Sequence, residues 1–528
     1  METNELLAPA KYNITEEIEA YANHTNQAAV HWKSEAGDEY VWTYPELIHR
    51  MNQYANVLTA HGLEKGDRVL IIIPRLPEAY ALYAACLKAG IIAIPCSEML
   101  RAKDLIYRAV HAEAKAVVAY HTAALEVEEA AKEVEIPLHF TVGESKAGWL
   151  ALDELAASAA NVYAGADTAE SDIAFISYTS GTTGQPKGVV HTHGWGYAHI
   201  RTAAKNWLDV REGDKVWATA APGWQKWLWS PFLSTVMLGA TAFVYHGKFE
   251  PHTYLKLLET EEINVLCCTP TEYRLMAKVD GLKNYNPSAL RSTVSAGEPL
   301  NRPVIEAFKD AFQVDVRDGY GQTENTLLVG TLTDMTIKPG SMGRPTPGND
   351  VEIINEDGEP VQTGEIGDIA VHKTAPALFQ YYYRDPERTK ATFRGDWYLT
   401  GDLASKDEDG YFWFEGRSDD IIISSGYTIG PFEVEDALTK HDAVKECAVV
   451  AAPDEVRGNI VKAFVVLQDG YENEDEEALT KDLQTHTKAL TAPYKYPRKI
   501  EYIQELPKTT SGKTRRIELR SRETSTNK

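Results

Sequence analysis

Residues 178–188 read Tyr-Thr-Ser-Gly-Thr-Thr-Gly-Gln-Pro-Lys-Gly, between the apolar run 173–178 and Val189-Val190. A strand-like run that opens into glycine- and hydroxyl-rich backbone has the chemistry of a phosphate cradle. Gly181, Gly184 and Gly188 let the main chain approach an anion with its amides turned inward. Thr179, Ser180, Thr182 and Thr183 supply hydroxyls, and Lys187 a charge. The span is not a Walker A loop, since no Gly-Lys-Ser/Thr closes it. Gly/Ser/Thr clusters between regular elements are commonly plain loops, so the reading depends on what surrounds the string.

Upstream, Thr43-Tyr-Pro-Glu46 has the form of a capping box with proline in the first turn. Leu47, Met51, Ala55 and Leu58 then recur at helical spacing. The β-branched run 69–73, a helical stretch 77–89, Gly90 as its stop and the apolar run 91–94 make a βαβ unit. Further strands are predicted at 116–119, 138–142, 173–177, 263–268 and 292–295, separated by helical or loop segments. This alternation predicts an α/β fold with open, mostly parallel sheet covered on both faces, and ligands at the carboxyl ends of its strands. Past about 341 the pattern turns to short strands and turns, a small β-rich subdomain. Beyond Arg417 it becomes a compact α+β module, with helices near 432–440 and 474–490 and strands at 448–451, 463–467 and 500–503.

A chain of 528 residues exceeds one ordinary core. Its 44% hydrophobic and 25% charged residues are those of a globular protein, and a net charge of −24 excludes a nucleic-acid scaffold. Cys86, Cys96, Cys267, Cys268 and Cys447 have no metal spacing and read as small core residues of a reducing compartment. The N-terminus has no signal-peptide pattern. The most apolar region, 69–95, is interrupted by Arg75, Glu78 and Lys88, so no integral membrane segment is expected and the cytoplasm is the expected location.

Five further strings bear on the first: Ser295-Ala-Gly-Glu-Pro299, Asp318-Gly-Tyr-Gly-Gln-Thr-Glu324, Trp397-Tyr-Leu-Thr-Gly-Asp402, Gly416-Arg-Ser-Asp-Asp420 and Pro507-Lys-Thr-Thr-Ser-Gly-Lys513. Singly, each has a plain reading as a strand-to-helix turn, a solvated carboxylate, a charged linker or a basic tail. In this order, spread from 178 to 513, they resemble the adenylate-forming (AMP-binding) superfamily, which holds acyl-CoA synthetases, peptide-synthetase adenylation domains and firefly luciferases. The likeness is to its short- and medium-chain fatty acid–CoA ligases.

The resemblance implies a large N-terminal AMP-binding domain, 1–417, with doubly wound sheets and a small β subdomain. A smaller, mobile α+β C-terminal domain, 418–528, would turn about a hinge at Asp419. The 179–187 loop would hold ATP phosphates, and Gly297, Glu298 and Pro299 would wall the adenine pocket. In the Asp318-Gly319-Tyr320-Gly321-Gln322-Thr323 string, Tyr320 would stack on adenine and Thr323 would bond a phosphate or carboxylate oxygen. Glu324 would hold Mg²⁺, a hard cation suited to carboxylate and phosphate oxygens. Asp402 and Arg417 would reach the ribose, and Ser425 and Gly426 would line a pantetheine tunnel after Ser424. Lys513 would bridge carboxylate and α-phosphate as charge develops, delivered by a glycine-bearing loop. Its Ser-Gly-Lys setting also resembles an acylation-regulated lysine of relatives, and a homo-oligomer is compatible with the family.

For the acid, the resemblance points to Gly321, where acetate-specific relatives carry a tryptophan that shortens the pocket. A glycine there implies room for a longer or branched chain. Ala221-Pro-Gly-Trp-Gln-Lys-Trp-Leu-Trp229 is the expected acyl segment, with Trp224 as wall or gate and Trp227 and Trp229 beside it. Residues 215–249 contain no Asp or Glu, whereas amino-acid-activating relatives use an acid in this region for the substrate ammonium. No carrier-protein segment follows Lys513, which points to free coenzyme A, with Lys495, Arg498 and Lys499 near its phosphates. Thr428 stands where the family usually has arginine, a departure that bears on pyrophosphate handling. The expected reaction is ATP-dependent ligation of a short- to medium-chain or branched carboxylic acid to CoA through an acyl-adenylate, releasing AMP and pyrophosphate. The competing readings are an acetyl- or aryl-CoA ligase, a luciferase-type oxygenase, an adenylating enzyme that loads a separate carrier protein, and a non-catalytic nucleotide sensor.

Overall fold

The structure is a computed structural model that describes residues 2–179, 185–297, 300, 302–418, 420–424, 427–454, 457–471, 475–492, 494–508 and 514–525. It divides into two compact units, Met1–Val351 with His372–Asp396, and Glu352–Val371 with Trp397–Lys528. The boundary expected at 417/418 falls within the second unit, which gathers part of the small β-rich region with the C-terminal module.

In the first unit the strand–helix alternation is distributed over two sheets. One has seven strands in the order Leu150–Ala151, Leu138–Val142, Ala116–Tyr120, Arg68–Ile72, Ile92–Cys96, Ile173–Thr179, Lys187–Thr192. All its pairs are parallel except the last, an antiparallel hairpin. Its central strands are buried apolar runs, as a sheet covered on both faces requires. The other has nine strands, running Arg344–Pro345, Leu327–Gly330, Val316–Gly321, Ser292–Ala296, Val265–Cys268, Lys215–Ala218, Thr241–His246, Ala28–Ser34, Glu39–Thr43. Its interior is parallel and its margins antiparallel.

Helix Tyr44–Ala60 begins as the sequence predicts. The Thr43 hydroxyl accepts from the Glu46 amide, and the Glu46 carboxylate accepts from the Thr43 amide at 2.7 Å. Its Leu47, Met51, Ala55 and Leu58 are fully buried and share one core with helix Pro77–Lys88 and strand Arg68–Ile72. That core extends to Trp227, Phe232 and Val244, so it reaches residues associated with the second sheet.

In the second unit, strands Val351–Ile354, Ile366–His372 and Trp397–Lys406 lie in that order, and Phe412–Arg417 pairs with Trp397–Lys406. A hairpin, Ile422–Ser424 and Tyr427–Ile429, leads into a three-stranded sheet of Val444–Asp454, Gly458–Leu467 and Lys499–Tyr502. Alternate residues of Val444–Asp454 feed two cores, the period-two signature of a strand. Val449 packs with Val434 and Leu438 of helix Pro431–Thr439 and Leu479 and Leu483 of helix Glu476–Leu490. Ala448 and Val450 pack with Leu519 of helix Arg516–Ser525. All five cysteines are free thiols. Among the described residues no helix is long and apolar enough to cross a membrane.

Candidate active site

The opening string sits at a strand hairpin. Thr179 ends Ile173–Thr179, Lys187 begins Lys187–Thr192, and the two pair across the hairpin. Ser180, Gly181, Thr182, Thr183 and Gly184 lie outside the described residues. Thr179 Oγ1 is buried with no hydrogen-bond partner among the described residues. A buried hydroxyl left so costs free energy until something fills the role.

Lys187 Nζ lies 2.5 Å from Glu324 Oε1 and donates to Tyr382 Oη at 2.7 Å. Tyr382 Oη donates to Glu324 Oε1 at 2.8 Å. A buried carboxylate, a lysine and a phenol thus join the phosphate-loop hairpin to the Gln-Thr-Glu string. Tyr382 is brought there by residues 379–383. The Gln380 amide donates to Val190 O at 3.0 Å, Val190 to Tyr381 O at 3.1 Å, and Tyr383 to Gly188 O at 2.7 Å. The Phe379 amide donates to Glu324 O at 2.7 Å.

Asp318, Gly319, Tyr320 and Gly321 finish strand Val316–Gly321, whose carboxyl end also lies beside the end of Ser292–Ala296 and hence beside Gly297. Gly297 has φ +110, and among the described residues nothing lies within 4 Å of where a Cβ would be; Glu298 and Pro299 lie outside the described residues. Burial pushes the Asp318 carboxyl up to about 7, against the opposing effect of the Gly319 amide that it accepts at 2.8 Å. Gln322 and Asn325 close a turn: the Gln322 amide donates to Asn325 Oδ1 at 2.8 Å, and the Asn325 amide to Gln322 O at 3.1 Å. Tyr320, Gln322 and Thr323 are half-buried at the mouth of this turn.

The acyl segment departs from expectation in two ways. A Cβ at Gly321 would lie 2.0 Å from Thr326 O and 2.8 Å from Trp229 Cη2. Glycine is needed there because two stretches of backbone nearly touch, and Trp229 already fills the space on that side. Gly321 therefore does not open a longer slot in the direction of its own missing side chain. Trp227 is core, packed against Tyr80, Tyr83 and Phe232 at centroid distances of 5.1, 4.9 and 5.3 Å. Trp224 is half-buried. It follows Gly223, which has φ +94 and whose Cβ would lie 2.5 Å from the Cys96 carbonyl. This close approach ties the acyl segment to the carboxyl end of a strand in the other sheet. Lys226 went unremarked in the sequence. Its buried Nζ has no hydrogen-bond partner among the described residues and lies 4.8 Å from the Trp207 ring centroid and 5.5 Å from that of Trp229. The segment expected to line the acid thus carries a buried amine beside two indole rings.

In the second unit Asp402 and Arg417 are cross-strand partners, with Arg417 Nη1 3.6 Å from Asp402 Oδ1. The Asp402 carboxylate is buried and Arg417 partly exposed, an arrangement that presents two oxygens and a guanidinium side by side. Asp419, Ser425, Gly426 and Lys513 lie outside the described residues, as does the Thr428 side chain. Residues Tyr382, His191, Trp195, His199 and Lys226 were not singled out from sequence. The spacing 191, 195, 199 immediately after the phosphate string was the available signal for three of them.

Two family models match this chain: AMP-binding enzyme over residues 18–383 and AMP-binding enzyme C-terminal domain over 433–513. The chain belongs to the AMP-binding enzyme family. Within it, it is an acyl-CoA synthetase, joining a carboxylic acid to CoA through an acyl-adenylate at the expense of ATP. It is 59% identical to an uncharacterised acyl–CoA ligase, YtcI, of Bacillus subtilis, over 99% of this chain and 98% of that one. It is 42% identical to the mitochondrial acyl-coenzyme A synthetase ACSM3 of mouse, over 96% and 88%. Among solved structures, the anthranilate CoA ligase AuaEII in complex with anthranoyl-AMP matches with a TM-score of 0.90 at 28% identity, covering 99% of both chains.

Proposed function

We propose that the protein ligates a short- to medium-chain or branched carboxylic acid to coenzyme A, with Lys187, Tyr320, Thr323, Glu324, Asp402, Arg417 and Lys513 as its ATP-site residues. The Lys187–Glu324–Tyr382 triangle carries the reading, because it sets a cation and a buried carboxylate at the end of the phosphate-loop hairpin. In this reading Lys187 exchanges the carboxylate for a phosphate when ATP binds. Glu324 offers a carboxylate from one residue, which fits Mg²⁺, an ion that takes most of its ligands from water and nucleotide phosphates. When bound, Mg²⁺ would neutralise phosphate charge. The three-ligand group among the described residues, His31, Glu39 and Glu261, does not include Glu324.

The acid's carboxylate oxygen bonds to the α-phosphorus of ATP while the bond to the β-phosphate oxygen breaks, and pyrophosphate leaves. Lys513 balances the charge that develops. The C-terminal module then turns about Asp419, withdrawing Lys513. The CoA thiolate attacks the acyl carbon, the bond to the AMP oxygen breaks, and Ser425 and Gly426 line the pantetheine path. Free thiols throughout suit a reducing, cytoplasmic setting.

An aryl acid is the second reading, favoured by the likeness to an anthranilate CoA ligase and by the tryptophans of the acyl segment. Pyrophosphate exchange into ATP, run on acids from acetate to decanoate with branched acids and benzoate, separates the two readings. Turnover best at butyrate to octanoate supports the first, and best at benzoate the second. Lys513→Ala is expected to abolish acyl-adenylate formation and spare thioester formation from supplied acyl-adenylate; loss of both half-reactions overturns the role given to Lys513.

A further inference from the structure

The segment that carries Thr323 and Glu324 is gripped from behind by a column of aromatic rings. His191 is on strand Lys187–Thr192, and Trp195 and His199 are four and eight residues on, along helix His193–His199. Helical spacing stacks the last two on one face. Ring centroids are 4.1 Å apart for His191 and Trp195, with planes at 29°, and 5.1 Å apart for Trp195 and His199, with planes at 16°. Trp229 continues the column 5.2 Å from His199. All three leading rings are buried.

Their polar atoms converge on one short turn. His191 Nε2 lies 2.6 Å from Thr323 O. Trp195 Nε1 donates to Asn325 O at 3.1 Å. His199 Nδ1 lies 2.7 Å from Thr326 Oγ1, and its Nε2 lies 3.1 Å from Trp229 O. Carbonyl oxygens only accept, so both histidines carry their proton on Nε2, and His199 Nδ1 accepts from the Thr326 hydroxyl. In that tautomer His191 Nδ1 is an acceptor, buried without a partner among the described residues. Burial lowers both histidines to about 3, so the column is uncharged. Packing alone would accept phenylalanine at these places. Instead, three polar atoms hold residues 323, 325 and 326, and the side chain of the residue between, Glu324, goes to Lys187 and Tyr382.

We propose that His191, Trp195 and His199 are positioning residues for the nucleotide: they fix the Gln322–Thr326 turn so that Thr323 and Glu324 meet ATP phosphates in register, and His199 links the turn to Trp229 of the acyl segment. This rests on the ATP-site reading above. The intact protein is assayed for MgATP affinity by titration calorimetry and for the KM of ATP and of the acid by pyrophosphate exchange. His191→Phe keeps the stack and deletes the donor to Thr323. It is expected to weaken MgATP binding and raise the ATP KM about tenfold, with the acid KM within about twofold. His191→Gln, which restores a donor, should recover to within about threefold of the unsubstituted protein. Trp195→Phe deletes the bond to Asn325 independently and should act in the same direction by about fivefold, whether or not His191→Phe folds. His199→Phe is expected to raise both KM values.

Unchanged MgATP affinity in His191→Phe and Trp195→Phe overturns the proposal. So does an equal loss for ATP and acid in His191→Phe and Trp195→Phe, or a glutamine variant no better than phenylalanine. An unsubstituted protein that binds no MgATP overturns the ATP-site reading itself and the column's role with it. Failure of the column alone is told apart by normal MgATP binding in the unsubstituted protein and in the variants alike.

Discussion

The elements packed behind the functional segments differ between the two units. In the first, the turn bearing Thr323 and Glu324 is backed by uncharged, stacked rings. In the second, the helix Arg516–Ser525 that follows the Lys513 string is held by ion pairs. Arg516 donates from Nε to Glu435 Oε1 at 3.2 Å and from Nη2 to Oε2 at 2.7 Å, and Arg520 pairs with Asp420, beside the expected hinge. Lys462 adds pairs with Glu501 and Glu523, both at 2.6 Å. Neutral rings hold one geometry with little dependence on salt. Ion pairs make their element sensitive to loss of a single partner, because the other charge is left buried. A segment proposed to meet phosphates gains from the first device.

The largest expected effect tests the charged half. Arg516→Met strands Glu435 and is expected to cost the second unit about 3–5 kcal/mol. Two-transition calorimetry should show one transition moving and the other staying. Equal movement of both would erase the contrast.

Next is acid sensitivity of the neutral half. A histidine held down at about 3 in the fold and near 6.5 when unfolded binds protons more readily unfolded. Its contribution to stability is therefore full above about 6.5 and declines as pH falls toward 3, by about 2 kcal/mol per histidine at pH 5. His191→Gln should flatten the acid limb of the first unit's unfolding curve by about that amount, measured between pH 7 and 5. An unchanged limb would show that His191 is not held neutral.

The smallest effect concerns substrate choice. Lys226→Met removes the amine beside Trp207 and Trp229. It should shift preference by about three- to tenfold toward longer unsubstituted alkyl acids and away from acids with a distal oxygen, read as kcat/KM ratios. No shift would place Lys226 outside the acyl pocket.

Much of the fold was legible because it is written in short periods. The Thr43–Glu46 capping box, the runs at 69–73 and 116–119, and the C-terminal strands all fall where the patterns place them. The nucleotide strings were legible as strings. Their partners were not: Lys187 meets Tyr382 across 195 positions, and His191 meets Thr323 across 132. The sequence presents Gly321 as volume left for the acid, whereas the fold uses it for the approach of two backbones.

By itself, then, the sequence determined the alternation of strands and helices and the family, because hydrophobic period, caps and motif spacing act over a few residues. Only the tertiary structure decided that the strands of the first unit form two sheets, that a column of rings stands behind the Gln-Thr-Glu turn, and that Lys226 lies near both Trp207 and Trp229. Those contacts join residues far apart in the chain. Burial and hydrogen-bond satisfaction select them after the elements have packed, and they leave no periodic trace along it.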